Sequence, residues 1–194
     1  MPIGANKAAL FGVAGVSTGT SILLSTGVAS ASASLAFTIP ATYKQIVFGF
    51  YNIAPATDNV EFNFQVSTDG GSSYGMTMTT TYFYAFHNEA NTDASLSYNS
   101  AMDLAQSTSY QPIAGNIGSD ADQCVAGELH LFNPSSTTYV KNWYLKISNY
   151  RKDDMEFNGF AAGYVNSTSD VDAINFKMAS GNIASGTIKM WGVL

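Results

Sequence analysis

The chain has 194 residues, of which only 11% are charged and 13% are aromatic, and its formal net charge is −6. This length suits a single domain, and the aromatic content is too high and the charge too low for a disordered protein. Nucleic acid is excluded as a partner, because binding it requires clustered Lys and Arg, whereas the eight cationic residues are scattered and only Arg151 and Lys152 are adjacent.

The first part of the chain differs in composition from the rest. Residues 1–19 are rich in glycine and only weakly periodic, which predicts an N-terminal arm ahead of one domain over residues 20–194. Short strands are predicted over residues 20–24 and 34–39, joined by a Ser/Ala-rich link over residues 25–33. No apolar run approaches the eighteen or so residues of a membrane span, so we expect no insertion into a membrane.

The next segments predict the centre of a sheet. Residues 45–51 are apolar on both faces, which is typical of a strand covered on both sides. After a loop over residues 52–59, residues 60–66 alternate between apolar and polar side chains, as in a half-buried strand. The glycines of Asp69-Gly70-Gly71 predict a turn, and residues 73–86 then return as a long strand rich in Thr and Tyr.

The middle of the chain is less regular. Residues 87–111 predict an irregular excursion, with one helical turn over residues 99–105. Strands follow over residues 110–117 and 124–132, on either side of an acidic turn at residues 119–123.

The last third returns to regular alternation. A strand over residues 139–148 and a polar loop over residues 149–156 precede a strand over residues 157–165. Residues 171–194 predict a closing hairpin, because two alternating runs flank residues 179–182, whose Gly and Asn tolerate the positive φ of a tight reversal. The whole pattern of ten or eleven strands predicts an all-β fold, a single jelly-roll-like β-sandwich with an N-terminal arm.

Part of this closing segment resembles virion proteins of tailed bacteriophages, particularly marine ones. The resemblance is carried by Ser180-Gly-Asn-Ile183, Gly186-Thr-Ile-Lys-Met190 and Trp191-Gly192, and it extends loosely back to Tyr43, including residues 66–74. In such proteins the pattern belongs to jelly-roll sandwiches of tail fibres, tailspikes and head decorations. The resemblance therefore implies localisation in a virion, with other virion proteins as partners, and it brings no catalytic residues or cofactor with it.

The function expected from the resemblance is structural and non-enzymatic. A tail fibre or similar appendage that contacts the host surface, with surface polysaccharide as a candidate receptor, is preferred. A capsid decoration protein is the alternative, and a glycan-cleaving enzyme is a third reading. Jelly-roll appendages commonly trimerise, so the resemblance, together with the weakly charged surface, favours a homotrimer.

Recognition is expected at loops, which carry binding sites on rigid sandwiches. The candidates are Tyr98 and Tyr110 in the irregular excursion and Asp120 and Asp122 in the acidic turn. The two aspartates also offer oxygen ligands for a loose calcium site, although the twelve-residue EF-hand pattern is missing. The aromatic run over residues 82–86 favours a core or interface strand over a sugar-binding one.

Four further motifs have structural explanations that we prefer to catalytic ones. Residues 67–74 resemble the Asp-box of sialidases, in which the aspartate caps a hairpin turn, but only one copy is present. Residues 15–19 fit Gly-x-Ser-x-Gly without the strand and helix that this nucleophile needs. His87 and Glu89 could form an acid–base pair, but a solvated strand end is the preferred interpretation. The single Cys124 is expected to be a small buried hydrophobe.

Overall fold

A computed structural model describes residues 21–194, so the predicted arm and the Gly-x-Ser-x-Gly pattern lie outside the described residues. The described part contains twelve strands and no helix, which confirms the all-β prediction. The strands are β1 (Ile22–Ser32), β2 (Leu35–Thr38), β3 (Gln45–Pro55), β4 (Val60–Ser67), β5 (Met78–Asn88), β6 (Ala94–Tyr98), β7 (Gln111–Ile117), β8 (Val125–Phe132), β9 (Lys141–Arg151), β10 (Met155–Val165), β11 (Ala173–Met178) and β12 (Ile183–Val193). Between residues 21 and 194 there is no helix of the length and apolarity that crossing a membrane requires.

The strands form two antiparallel layers. The large sheet has the order β1-β12-β3-β8-β9-β10-β5-β6, and the small sheet has the order β7-β4-β11-β2. The two sheets are joined by a single bridge between Ile117 and Arg151. Eight of the strands pair as nested partners, β1 with β12, β2 with β11, β3 with β8 and β4 with β7. This is the strand order of a jelly roll, and β9, β10, β5 and β6 extend its large sheet.

The core lies between the two sheets and is centred on Phe176 of β11, which is fully buried. Its ring centroid lies 5.2 to 6.4 Å from five other phenylalanine rings contributed by both sheets, those of Phe37, Phe48, Phe50, Phe62 and Phe64. Most of these contacts are edge-to-face or tilted, the arrangements that aromatic quadrupoles favour. The predicted inward positions of residues 60–66 are confirmed, because the four alternating apolar side chains of β4 are all buried.

The extension of the large sheet has its own attachment to the small sheet. Tyr82 of β5 is completely buried and donates its hydroxyl to the carbonyl of Ile113 in β7 at 2.9 Å. Burial raises the pKa of this phenol, since the charged form would lose its hydration. The aromatic run over residues 82–86 therefore does enter the core on one face, while Phe83 on the other face stays exposed and stacks on Phe160 at 5.1 Å.

The predicted closing hairpin is wrong. β11 lies in the small sheet between β2 and β4, whereas β12 lies in the large sheet between β1 and β3. Residues 179–182 therefore carry the chain from one layer to the other. Gly181 has φ +70° and a Cβ there would meet Thr57 Oγ1 at 2.2 Å, so the crossing requires glycine for both reasons. A positive φ between two alternating runs is as compatible with such a crossing as with a hairpin.

The predicted Ser/Ala-rich link over residues 25–33 is also wrong, because β1 runs through it without interruption. Small residues are needed there for packing. A Cβ at Gly27 would lie 2.9 Å from the ring of Phe37, and Ala29 is buried in the core. The small residues that suggested a linker instead allow β1 to pack closely against the ring of Phe37.

Several other boundaries differ from the sequence prediction. The loop predicted over residues 52–59 is strand as far as Pro55, and the loop predicted over residues 149–156 is reduced to a turn at residues 152–154. The helical turn over residues 99–105 is absent, and β6 occupies part of the excursion before it. The long strand predicted from residue 73 begins only at Met78, because the preceding residues complete the turn that starts at Asp69.

That turn resembles an Asp-box and is held by the Asp69 carboxylate. Its Oδ1 accepts hydrogen bonds from Ser67 Oγ at 2.7 Å and from the Ser73 amide at 2.9 Å, and its Oδ2 accepts one from Ser73 Oγ at 2.5 Å. These bonds favour the charged form and lower the pKa of Asp69 to about 2. The aspartate thus caps a turn, as the structural interpretation of the motif predicted.

A pH dependence of stability follows from this turn. Because the folded-state pKa is depressed, the contribution of Asp69 is complete above its ordinary pKa of 3.8 and is lost as the pH falls toward about 2. We therefore expect the melting temperature of the wild type to fall more steeply between pH 4 and pH 2 than that of Asp69→Asn. Asp122→Asn, which changes an exposed carboxylate in another turn, is the control and should keep the wild-type slope. Equal slopes for wild type and Asp69→Asn would show that the turn does not couple to global unfolding.

Candidate functional site

The two tyrosines predicted to bind ligands lie on different sheets. Tyr98 is exposed on β6 at the edge of the large sheet, and its hydroxyl donates a hydrogen bond to the carboxylate of Asp103. Tyr110 immediately precedes β7 and is half-buried. Its hydroxyl donates to Asn175 Oδ1 at 3.2 Å, and Lys177 Nζ lies 4.2 Å from its ring centroid. The structure therefore does not bring the two side chains into one site.

The two predicted aspartates lie in the β7–β8 turn, where both side chains are exposed. The turn is stabilised by the buried Gln123, whose side chain accepts from the Asp120 amide at 3.2 Å and donates to the Arg151 carbonyl at 3.3 Å. Within residues 21–194, Asp120 and Asp122 share no hydrogen bond with either predicted tyrosine, and no cluster of three or more His, Cys, Asp or Glu side chains is arranged to hold a metal ion. The four predicted residues are thus not assembled into one constellation.

His87 and Glu89 line a shallow pocket of about 380 Å³ at the β5–β6 turn. The Tyr150 hydroxyl lies 3.2 Å from both Glu89 Oε1 and Asp154 Oδ1, so the two carboxylates share its single proton. Loss of hydration and the two carboxylates raise the pKa of Tyr150 to about 12. In the described residues Glu89 is therefore engaged by a tyrosine, and it makes no hydrogen bond to His87.

Cys124 is half-buried, not fully buried as predicted, and it lies just before β8. Its Sγ lies 4.0 Å from Asn52 Oδ1. Burial, with a smaller contribution from the charge of Asp122, raises the pKa of the thiol. The side chain is thus held in its less nucleophilic protonated form.

An open trough of about 920 Å³ lies on the outer face of the large sheet. We call it the outer trough; it lies where β12, β3, β8 and β9 run side by side, on the face opposite the core. The register places Lys189, Gly49, Glu128 and Lys146 in one row across these four strands, and the last three of them line the trough. Because Gly49 has no side chain, an aromatic ring can lie directly on the sheet at this position.

One wall of the outer trough is aromatic. The indole of Trp191 extends over Gly49, where a Cβ would lie 2.8 Å from its Cζ3 atom, so this ring position depends on glycine. Tyr51 is 46% exposed, and its ring centroid lies 6.4 Å from that of Trp191 at an interplanar angle of 60°. Lys189 Nζ lies 5.4 Å from the Tyr51 centroid. Two ring surfaces are therefore presented at one end of the trough.

The floor beside this wall also carries a histidine. Gln45 Nε2 lies 2.7 Å from His130 Nδ1, and in the tautomer that accepts this hydrogen bond the imidazole proton lies on Nε2. The His130 ring stacks on Tyr144 with centroids 4.5 Å apart. Its Nε2 lies 3.2 Å from Glu128 Oε1 but is not aligned for a hydrogen bond. Both the imidazole N–H and the carboxylate thus retain hydrogen-bonding capacity.

The opposite wall is formed by β9 and β10. Asn158 lines the trough, and its Oδ1 is buried without a hydrogen-bond partner among the described residues. Ser148 Oγ donates to Glu156 Oε1 at 2.9 Å, and Lys146 Nζ lies 5.6 Å from the ring centroid of Phe160. As an acceptor without a protein partner, Asn158 Oδ1 can receive a hydrogen bond from a ligand or from a water molecule.

The outer trough is not predicted from the sequence, because residues 45–51 have the pattern of a strand covered on both faces. That prediction is wrong for one face. Ile46, Phe48 and Phe50 are buried, whereas Tyr51 is exposed in the trough. A usable signal was present, because Trp191 alternates in the sequence with Ile188 and Met190, which are buried. A large aromatic at such a position marks an exposed ring.

Comparison of the chain with protein-family models, curated proteins and solved structures gives no match. Sandwich folds carry many unrelated functions, so the jelly-roll architecture does not select one of them. The side chains of the outer trough are therefore the features from which a function can be argued.

Proposed function

We propose that this chain is a non-enzymatic structural protein of a tailed-bacteriophage virion, a homotrimeric tail fibre or similar appendage that contacts the host surface. The observation that carries the proposal is the outer trough, an open surface with ring faces and hydrogen-bonding groups on a rigid sheet. Recognition sites are commonly built in this way, with a mostly apolar lining and a few placed polar groups. The resemblance of residues 180–192 to phage virion proteins is the basis for proposing a location in a virion.

The composition of the trough favours binding over cleavage. Glycoside hydrolysis ordinarily uses two carboxyl groups that flank the scissile bond. Glu128 is the one carboxylate among the described residues that line the outer trough. The surrounding Gln45, Ser148 and Asn158 side chains can orient a ligand but are poor proton donors or acceptors in catalysis.

A capsid decoration protein is the second candidate, and one observation favours it. Leu23, Val28 and Leu96 are 51%, 66% and 72% exposed, and the register places them on the outer face of the large sheet with the trough. Exposed apolar side chains that share one face are typical of a surface that another protein covers. In that case the outer face would pack on the capsid.

Two measurements on the intact protein separate the candidates. Labelled protein is incubated with susceptible and resistant host cells, and separately with capsids stripped of it. The appendage proposal predicts selective binding to susceptible cells, which Tyr98→Ala and Tyr110→Ala would reduce if those tyrosines contribute as predicted from the sequence. Tight rebinding to stripped capsids without cell binding would instead decide for decoration. Absence of the chain from purified particles would overturn both.

A further inference from the structure

We propose that the outer trough is an oligosaccharide-binding site in which a short run of sugar rings lies across β12, β3, β8 and β9. This deepens the proposed function and rests on it. The ligand class is inferred from three properties of the trough, namely its length, its ring surfaces and its unpaired polar groups.

The length of the trough fits several sugar rings. Its lining runs from Trp191 on β12, across β3 and β8, to Lys146 on β9. Three spacings between neighbouring strands correspond to about 14 Å, which is longer than one sugar ring. Because the Trp191 ring covers Gly49, a ligand that crosses β3 would lie on the indole.

The ring surfaces suit the apolar faces of sugars. Trp191 and Tyr51 present rigid aromatic surfaces whose polar atoms lie at their edges. Trp191 is positioned by its packing over Gly49, so little rotamer freedom remains to be lost on binding. A pyranose stacked on these rings would direct its hydroxyl groups toward the floor and the opposite wall.

The polar groups there match hydroxyl groups, which both donate and accept. Asn158 Oδ1 is a buried acceptor without a partner in the described residues, His130 Nε2 is an unpaired donor, and Glu128 is a half-exposed acceptor. A hydroxyl donated to Asn158 would satisfy an atom that is otherwise costly to bury. Glu128 and His130 lie on β8 and Asn158 lies on β10, two strand spacings or about 10 Å away, so a single sugar ring could not reach all of them.

The same polar groups argue against a second copy of the chain as the occupant. Lys146 and Glu128 would have to be desolvated under a protein surface, and charged residues are depleted from the centres of such interfaces. The cavity volume also lies within the range of small-ligand sites. An oligosaccharide can instead bind these charges through hydroxyl groups while their outer sides stay hydrated.

Intrinsic fluorescence tests the proposal directly, because the chain has two tryptophans and they lie in different surroundings. Trp143 is buried against Phe64, with ring centroids 5.0 Å apart, and so only Trp191 can contact a ligand in the trough. The probes are defined oligosaccharides of hexoses, N-acetylhexosamines and uronic acids, together with polysaccharide purified from the susceptible host. We expect at least one probe to change the emission, and Trp191→Phe to abolish that change.

Calorimetric titration with the same probe then measures the affinity of single variants. Trp191→Ala, Tyr51→Ala and Asn158→Ala should each weaken binding by about tenfold, the effect of roughly 1.4 kcal/mol. Tyr139→Ala is the matched control, since Tyr139 is 73% exposed on the β8–β9 connection outside the trough, and it should bind like the wild type. A cooperative thermal melt of each variant verifies that it is folded, and Trp191→Phe retains the packing if Trp191→Ala does not.

Two results would overturn the inference. One is that no probe, including the host polysaccharide, changes the emission or gives heat. The other is that Tyr51→Ala and Trp191→Ala alter the mass in solution and leave carbohydrate binding unchanged, which would make the trough a subunit interface. Neither result bears on the proposed location in the virion. That proposal is contradicted separately if the chain is absent from purified particles.

Discussion

A chain that lacks residues 182–194 is not expected to fold. This deletion removes β12, which lies between β1 and β3, so β1 loses its only partner among the described strands and β3 acquires an open edge. It also removes Ile183, Ile188 and Met190, all buried. The loss of each large core side chain costs about 2–5 kcal/mol, and together they approach the roughly 5–15 kcal/mol that stabilises an ordinary domain.

Circular dichroism during heating measures the effect of this deletion. The truncated chain should be insoluble or melt without a cooperative transition. Removal of Leu194 alone is the control, because this residue follows β12 and is 60% exposed, and its loss should leave the melting temperature unchanged within a few degrees. A soluble truncated chain that melts cooperatively near the full-length temperature would show that β12 is peripheral.

Phe176→Ala is expected to cause the largest loss of stability of any single core substitution, about 3–5 kcal/mol. Its ring is fully buried and contacts phenylalanines of β2, β3 and β4, so truncation leaves a cavity bordered by both sheets. Such a cavity cannot close unless the two layers move together. Urea denaturation of the wild type and variant measures the difference, provided that both unfold in a two-state manner.

Phe83→Ala is the matched control for this substitution. Phe83 is also a phenylalanine on a strand and stacks on Phe160, but it is 44% exposed on the outer face. Its truncation should cost only about 0.5–1.5 kcal/mol. Equal losses for the two variants would mean that the centre of the core lies elsewhere.

Strand identity and core positions could be predicted because they depend on local alternation. The buried residues Val60, Phe62, Phe64 and Val66 repeat every second position, and a sandwich buries one face of each strand. Trp143, Leu145 and Ile147 of β9 also occupy alternate positions and are all buried. The class of the fold follows from many such runs, so single errors at boundaries did not change it.

Strand partners could not be predicted in the same way. Residues 179–182 have the glycine of a hairpin, yet they connect two layers, because the partners of β11 and β12 are chosen by long-range packing. Phe176 must face the rings of β3 and β4, while Ile188 and Met190 complete the face of the large sheet. The sequence of residues 179–182 is equally compatible with a hairpin and with a connection between layers.

The outer trough depends on the same long-range pairing. Tyr51 and Trp191 are far apart in sequence and become neighbours only through the register of β3 and β12. From the sequence, ligand recognition is expected in the irregular excursion over residues 87–111 and in the acidic turn, because binding sites on rigid sandwiches often lie in loops. Whether Tyr98, Tyr110 and the two aspartates bind a ligand remains a prediction.

The nested pairing of the eight jelly-roll strands also determines when the domain can fold. The partners become more distant in sequence from the innermost pair, β4 and β7, to the outermost pair, β1 and β12. Contacts between residues so far apart close long loops, and proteins dominated by them fold slowly, in milliseconds to seconds or longer. During synthesis, β1 has no partner among the described strands until β12 has left the ribosome. Folding of the large sheet is therefore expected to be completed only after β12 is released, and nascent chains are exposed to aggregation until then.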